Sequence, residues 1–122
     1  MKKLSVFIFL MFSIISFSQT IEVDKLVFDF GNINFGDSAI CYFNIKNVGK
    51  SPLLISKCQP SVSWVKVSCP LYPIKTNESY PLKVTYDSKR EGYINKSISI
   101  HSNDMAIPVL VLRIRGNVRK SE

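Results

Sequence analysis

The chain has 122 residues, of which 46% are hydrophobic and 20% charged, with six prolines and five glycines. That composition belongs to one ordinary globular domain and excludes fibrous or disordered chains and, on length, a two-domain enzyme. The formal charge of +7 would suit an acidic partner. A groove for single-stranded nucleic acid would also need exposed aromatics at regular intervals, and the charged stretches here lack them.

Lys2 and Lys3 precede an apolar run from Leu4 to Ile15 that ends in Ser16-Phe17-Ser18-Gln19. The order of basic residues, apolar run and small residues predicts a secretory signal peptide over residues 1–18, cut before Gln19. A retained membrane anchor is the alternative, but the run is shorter than the roughly 20 residues that span a bilayer. No cysteine follows it to accept a lipid. The expected mature domain is 19–122, exported to the periplasm or beyond, and loss of the two lysines lowers its charge to +5.

Within residues 19–122, Val and Ile number 21 and Ala and Leu nine, a bias toward side chains that suit pleated strands. Apolar residues alternate in short runs between turn residues, which predicts a sandwich or barrel. Ile21 to Phe30 would place Leu26, Phe28 and Phe30 on one face and break at Gly31-Asn32. Ala39 to Lys46 turns Cys41, Phe43 and Ile45 inward and Tyr42 and Asn44 outward. The stretch Asn47-Val48-Gly49-Lys50-Ser51-Pro52 reads as a chain reversal in which Asn47 and Gly49 can take left-handed backbone angles. Leu53 to Lys57 and Ser63 to Ser68 follow as shorter strands, and the prolines Pro70 and Pro73 mark a connection. Ser79 to Tyr86 points Leu82, Val84 and Tyr86 inward, with Pro81 tolerable near a strand start or edge. Ile98 and Ile100 face in on the next strand. The last, Ile107 to Val118, buries Leu110, Leu112 and Ile114 and exposes Arg113 and Arg115. About seven antiparallel strands in this length fit an all-β, immunoglobulin-like β-sandwich of two sheets.

Five stretches, Phe30-Gly31-Asn32-Ile33, Phe43 to Leu53, Pro73-Ile74, Val84 to Lys89 and Ile114-Arg115-Gly116-Asn117-Val118, together resemble domain-of-unknown-function family 1573. These are exported bacterial immunoglobulin-like domains similar to the ASH, major-sperm-protein and HYDIN-like group. The resemblance spans about residues 25 to 118 and implies a fold and an exported location more than an activity. Members often carry a Cys-x-Cys pair after the third strand. Val62 and Trp64 occupy those places here, so no metal, redox or attachment role of that pair carries over.

Three cysteines leave an odd one. A Cys58–Cys69 bridge would close a loop worth about 3 kcal/mol, and the alternative leaves all three thiols free. Cys41 shares the inward face of Phe43 and reads as a small buried hydrophobe. The lone histidine, His101, lies on an outward face among serines, and no close Cys or His spacing marks a metal site. Serines, His101 and Asp104 can be named as a triad, but no nucleophile elbow supports them. The acids fall in turns such as Asp37, Asp87, Glu91 and Asp104, and no phosphate loop is present.

The predicted function is therefore a non-catalytic exported module, without cofactor or metal, that contacts a protein or other envelope component through a sheet edge or the Gln59 to Trp64 loop. Trp64, Arg113 and Arg115 are its candidate contact residues. The competing expectation is a thiol-redox or metal-binding protein that uses Cys58, Cys69 and His101.

Overall fold

The computed structural model describes residues 20–120, so the predicted signal peptide lies outside the described residues. Eight strands make up the fold: β1 (Ile21–Val23), β2 (Val27–Asn34), β3 (Ala39–Asn47), β4 (Ile55–Pro60), β5 (Val65–Val67), β6 (Ser79–Tyr86), β7 (Gly92–Ser102) and β8 (Val109–Arg119). They form two four-stranded sheets in the orders β1-β3-β6-β5 and β2-β8-β7-β4. The architecture is the predicted immunoglobulin-like sandwich.

The predicted single strand from Ile21 to Phe30 is two strands in different sheets. The chain leaves the first sheet at Asp24, whose amide donates to Asn44 O at 3.2 Å and whose carboxylate accepts Asn44 N–H at 2.9 Å. That carboxylate finishes the β1–β3 ladder in place of a backbone carbonyl. Two residues later Leu26 O accepts Arg113 N–H at 2.9 Å, and the chain has joined the second sheet. Leu26 sits in this crossover and is 54% exposed, which corrects its placement on the inward face with Phe28 and Phe30.

Strand β2 then runs parallel to β8, whereas the other strand pairs are antiparallel. The predicted break at Gly31 is a bulge between Asp29 and Asn32, not an end. Gly31 takes φ 69°, a left-handed conformation open to glycine, and donates its amide to Asp29 Oδ1 at 2.7 Å. The strand resumes to Asn34.

Alternation holds where one face is fully covered. In β3, Ala39, Cys41, Phe43, Ile45 and Asn47 are buried and the residues between them are not. Phe43, Ile45, Leu82 and Val84 of the first sheet join Ile98, Ile100, Leu112 and Ile114 of the second in one core, each completely buried. Cβ atoms that point to opposite faces at successive residues make this period of two obligatory. Leu53 falls outside β4 and pairs alone with Ile74, and β5 is shorter than the predicted Ser63 to Ser68.

Two buried polar side chains hold the loops. Asn47 is the last residue of β3, not a left-handed turn residue. Its Nδ2 donates to Ser51 O and Ile74 O, both at 2.8 Å, and its Oδ1 accepts Gly49 N–H at 2.8 Å. Gly49 is required for space, since a Cβ there would stand 2.6 Å from Thr20 Cγ2. Among the described residues, the non-glycine residue with positive φ is Asn77, at 68°. Asp104, buried in the β7–β8 connection, accepts Thr20 and Ile21 N–H through Oδ2 at 2.8 and 2.9 Å. Its Oδ1 accepts Ala106 and Ile107 N–H at 2.7 and 2.9 Å.

Candidate functional site

Cys58 on β4 and Cys69, which follows β5, form a disulfide with Cα atoms 5.7 Å apart. Strands β4 and β5 are the outer strands of different sheets, so the bridge staples the two sheets along one side of the sandwich. It consumes both of the sulfurs on which the thiol or metal alternative depended. Cys41 is the remaining thiol and is buried. Burial pushes it up to about 11, with Lys25 opposing in part, and the neutral thiol is a poor nucleophile. His101 lies opposite Lys57 in the β4–β7 ladder. Among the described residues no three His, Cys, Asp or Glu side chains converge as metal ligands. Asp104 has both oxygens engaged by backbone amides, which leaves no hydrogen bond with which to orient His101.

The staple organises the loops beside it. Trp64 is half-buried against the core, and the Arg90 guanidinium stacks 3.7 Å from its ring centroid, with Lys96 Nζ at 5.5 Å. Cation–π contact of this kind holds an aromatic ring in one orientation. Trp64 also lines a hollow of about 330 Å³ with Ser63, Lys66, Thr85 and Asp87. It is thus part core and part surface.

The segment directly after Cys69 carries a feature absent from the sequence reading. Leu71 and Tyr72 are 87% and 79% exposed, between buried Pro70 and exposed Pro73. Two prolines with fixed φ and a disulfide at the entry limit how far this loop can move. Next to it, Tyr80 Oη donates to Ser68 O at 2.9 Å. The signal in the sequence is an apolar pair enclosed by two prolines, in a stretch that reads only as a connection.

Arg113 and Arg115 are on another surface, the outer face of the β2-β8-β7-β4 sheet, and are not brought to Trp64. Arg113 donates to Asn95 Oδ1 at 2.9 Å. Arg115 lines a depression of about 510 Å³ with Tyr93, Asn95, Asn117, Asn32 and Asp29, and Tyr93 is 88% exposed. Two glycines, Gly31 at the bulge and Gly116 beside it, lie in the same depression.

With this geometry established, comparison with known proteins places the chain. The family described as Protein of unknown function (DUF1573) matches residues 21–118. The chain belongs to this family. No curated protein matches its sequence. Among solved structures, a protein of unknown function from Porphyromonas gingivalis is similar at TM-score 0.72 and 21% identity, over 81% of this chain and 46% of that one. The chain thus spans less than half of that longer protein. The ASH/PapD-like domain 7 of human CEP192 is similar at TM-score 0.66 and 12% identity, over 86% of this chain and 89% of that domain. An MSP family member from C. elegans is similar at TM-score 0.58 and 14% identity, over 84% of this chain and all of that one. At these identities the likeness is one of fold, and it agrees with the ASH and major-sperm-protein group that the sequence resembles.

Proposed function

We propose that this DUF1573 domain is an exported, non-catalytic binding module that holds another envelope or secreted component through its loops and sheet edges. The observation that carries the reading is the Leu71-Tyr72 pair, two large apolar side chains held out in solvent by a loop fixed at the disulfide and by two prolines. Exposed Leu and Tyr on a preorganised loop suit insertion into a partner's pocket, because little conformational entropy remains to be lost on binding. Trp64, with the Arg90 guanidinium stacked on it, lines a separate hollow. Arg113 and Arg115 form a separate surface. The Cys58–Cys69 bridge supports an oxidising compartment, in agreement with the signal peptide predicted over residues 1–18.

The test is formaldehyde cross-linking of the tagged protein in its own cells, with capture from the exported fraction and intact-mass analysis. The expected result is a free chain that begins at Gln19 and a recurrent cross-linked species that disappears in the Leu71→Ser, Tyr72→Ser double variant. A chain that keeps residues 1–18, or a cross-linking pattern indifferent to the double variant, contradicts the proposal.

A further inference from the structure

We propose that the start of β8, residues 109–112, is the edge at which a partner strand adds: an extended segment of another polypeptide, with β-branched apolar residues in alternation and acidic residues beside them. The inference rests on the binding-module reading and names the edge and the class of partner.

Register leaves this stretch open. Ser102 N–H donates to Pro108 O at 3.0 Å and Arg113 N–H to Leu26 O at 2.9 Å. Even-numbered residues of β8 therefore turn their main-chain groups to β7, and odd-numbered ones to the side that β2 occupies, since these groups alternate along a strand. Pairing with β2 starts only with Val27 opposite Arg113, because the chain before the crossover belongs to the other sheet as β1. The N–H and C=O groups of Val109 and Val111 thus point into space that no strand of the described residues fills. Their side chains stand on the outer face, 43% and 47% exposed, and the exposed Leu26 and Val27 mark the end of the stretch.

The other edges are closed, and the contrast singles this one out. Along β3, β1 stops opposite Ile45, and the stretch beyond is guarded by Lys25, whose Nζ donates to Tyr42 O at 3.1 Å and pairs with Asp24 at 2.7 Å. β2 is bent by its bulge, β4 is tied by the disulfide and ends at Pro60, and β1 and β5 have three residues each. Lysine, bulge, proline and shortness are the protections that discourage edge pairing. Residues 109–112 carry no lysine, bulge or proline, and Pro108 turns its main chain toward β7. A row of unpaired main-chain groups is matched by another extended chain, which supplies donors and acceptors at the same spacing. The neighbouring side chains set its composition. Its outward residues lie beside Val109 and Val111 and are therefore apolar and β-branched. On the same face His101 stands opposite Val109, Lys57 opposite His101, and Ser97 opposite Arg113. This end of the face thus holds Lys57 and Arg113 and no carboxylate, while Asp29, further along β2, stands opposite Arg115. Acidic flanks on the segment complement it, whereas a second copy of this chain would bring its own Arg113 to a basic face.

The experiment is an NMR titration of the isotope-labelled protein with the peptide Glu-Glu-Val-Thr-Val-Thr-Val-Glu-Glu, with the same core flanked by lysines, and with a copy whose core amides are N-methylated. The glutamate-flanked peptide shifts the amide signals of Val109 and Val111 and slows their hydrogen exchange. N-methylation and lysine flanks each weaken binding by about tenfold or more, the ratio that matches loss of a hydrogen bond or of a charge contact. Val111→Lys, which sets a lysine on this edge as Lys25 is set on β3, weakens it by about tenfold or more, and Val111→Thr, still β-branched, stays within about twofold. Val111 is exposed, so both variants keep the wild-type melting temperature. The proposal is overturned by absence of shifts at these two amides, by equal binding of the N-methylated or the lysine-flanked peptide, or by an equal loss in Val111→Thr and Val111→Lys. Shifts there that grow with protein concentration alone, the mark of a second copy, overturn it as well. The Leu71→Ser, Tyr72→Ser double variant binds the peptide as the wild type does, so failure of this edge and failure of the loop-held partner are read separately.

Discussion

A buried carboxylate normally resists ionisation, and Asp104 shows what reverses the balance. Burial is the largest influence on its pKa and raises it, yet four backbone N–H groups, from Ile107, Ile21, Thr20 and Ala106, together hold it below the ordinary carboxylate value. These bonds fasten the start of β1 to the β7–β8 connection, more than 80 residues away in sequence. Replacement by Asn keeps the shape but aims an NH2 group at donors and removes the charge, so Asp104→Asn is expected to cost about 2–3 kcal/mol in urea unfolding. A depressed folded-state pKa means that the unfolded chain binds more protons in acid. The stabilisation is therefore complete above the unfolded carboxylate pKa of about 3.9 and is lost as pH falls through the lower folded value. The wild-type urea midpoint should drop on acidification below about pH 4, and Asp104→Asn should flatten that drop. Asp24, also lowered, leaves a residual slope in the variant. A variant as acid-sensitive as the wild type would refute this role. Asn47→Ala should cost about 1–3 kcal/mol, because it strips partners from the carbonyls of Ser51 and Ile74 and the amide of Gly49.

Among the elements, β4 and β5 depend on the bridge that joins them. Strand β5 has three residues, and a strand of that length contributes little pairing energy by itself. Loss of the Cys58–Cys69 closure in the Cys58→Ser, Cys69→Ser variant should lower stability by about 3 kcal/mol. Thiol counting gives an independent check: the native protein should react with no maleimide, and the denatured protein at one site, Cys41. Reaction of native protein at two or more sites would show that the bridge is absent. The elements also show which features were legible. β3 reads correctly because one face is sealed, so each inward position must be apolar or, as at Asn47, internally hydrogen-bonded. Leu26 misled for a related reason. It keeps the parity of Phe28 and Phe30, but parity carries no meaning in a crossover where the chain leaves one sheet for another. The parallel pairing of β2 with β8 was equally hidden, since a strand's own sequence does not state the direction of its neighbour.

At the scale of the whole molecule, function was the least legible feature because its groups come from separate strands. Arg115 stood out as a candidate contact residue and Asn32 as part of a strand break, but only the registers of β2, β7 and β8 bring them into one depression with Tyr93, Asn95 and Asn117. The same holds for Trp64, whose ring stays half-buried because Arg90 from the loop before β7 stacks on it. The sandwich supplies a rigid frame around Phe43, whose replacement by Ala should cost about 3–5 kcal/mol. The contact groups stand at its loops and outer face. The most direct test of a loop-held partner is a photo-cross-linking amino acid placed in turn at position 72 and at position 83, with the tagged protein irradiated in its own cells. The account predicts a single recurrent adduct from position 72 and none from position 83. Equal adducts from both positions, or none from either, would contradict it.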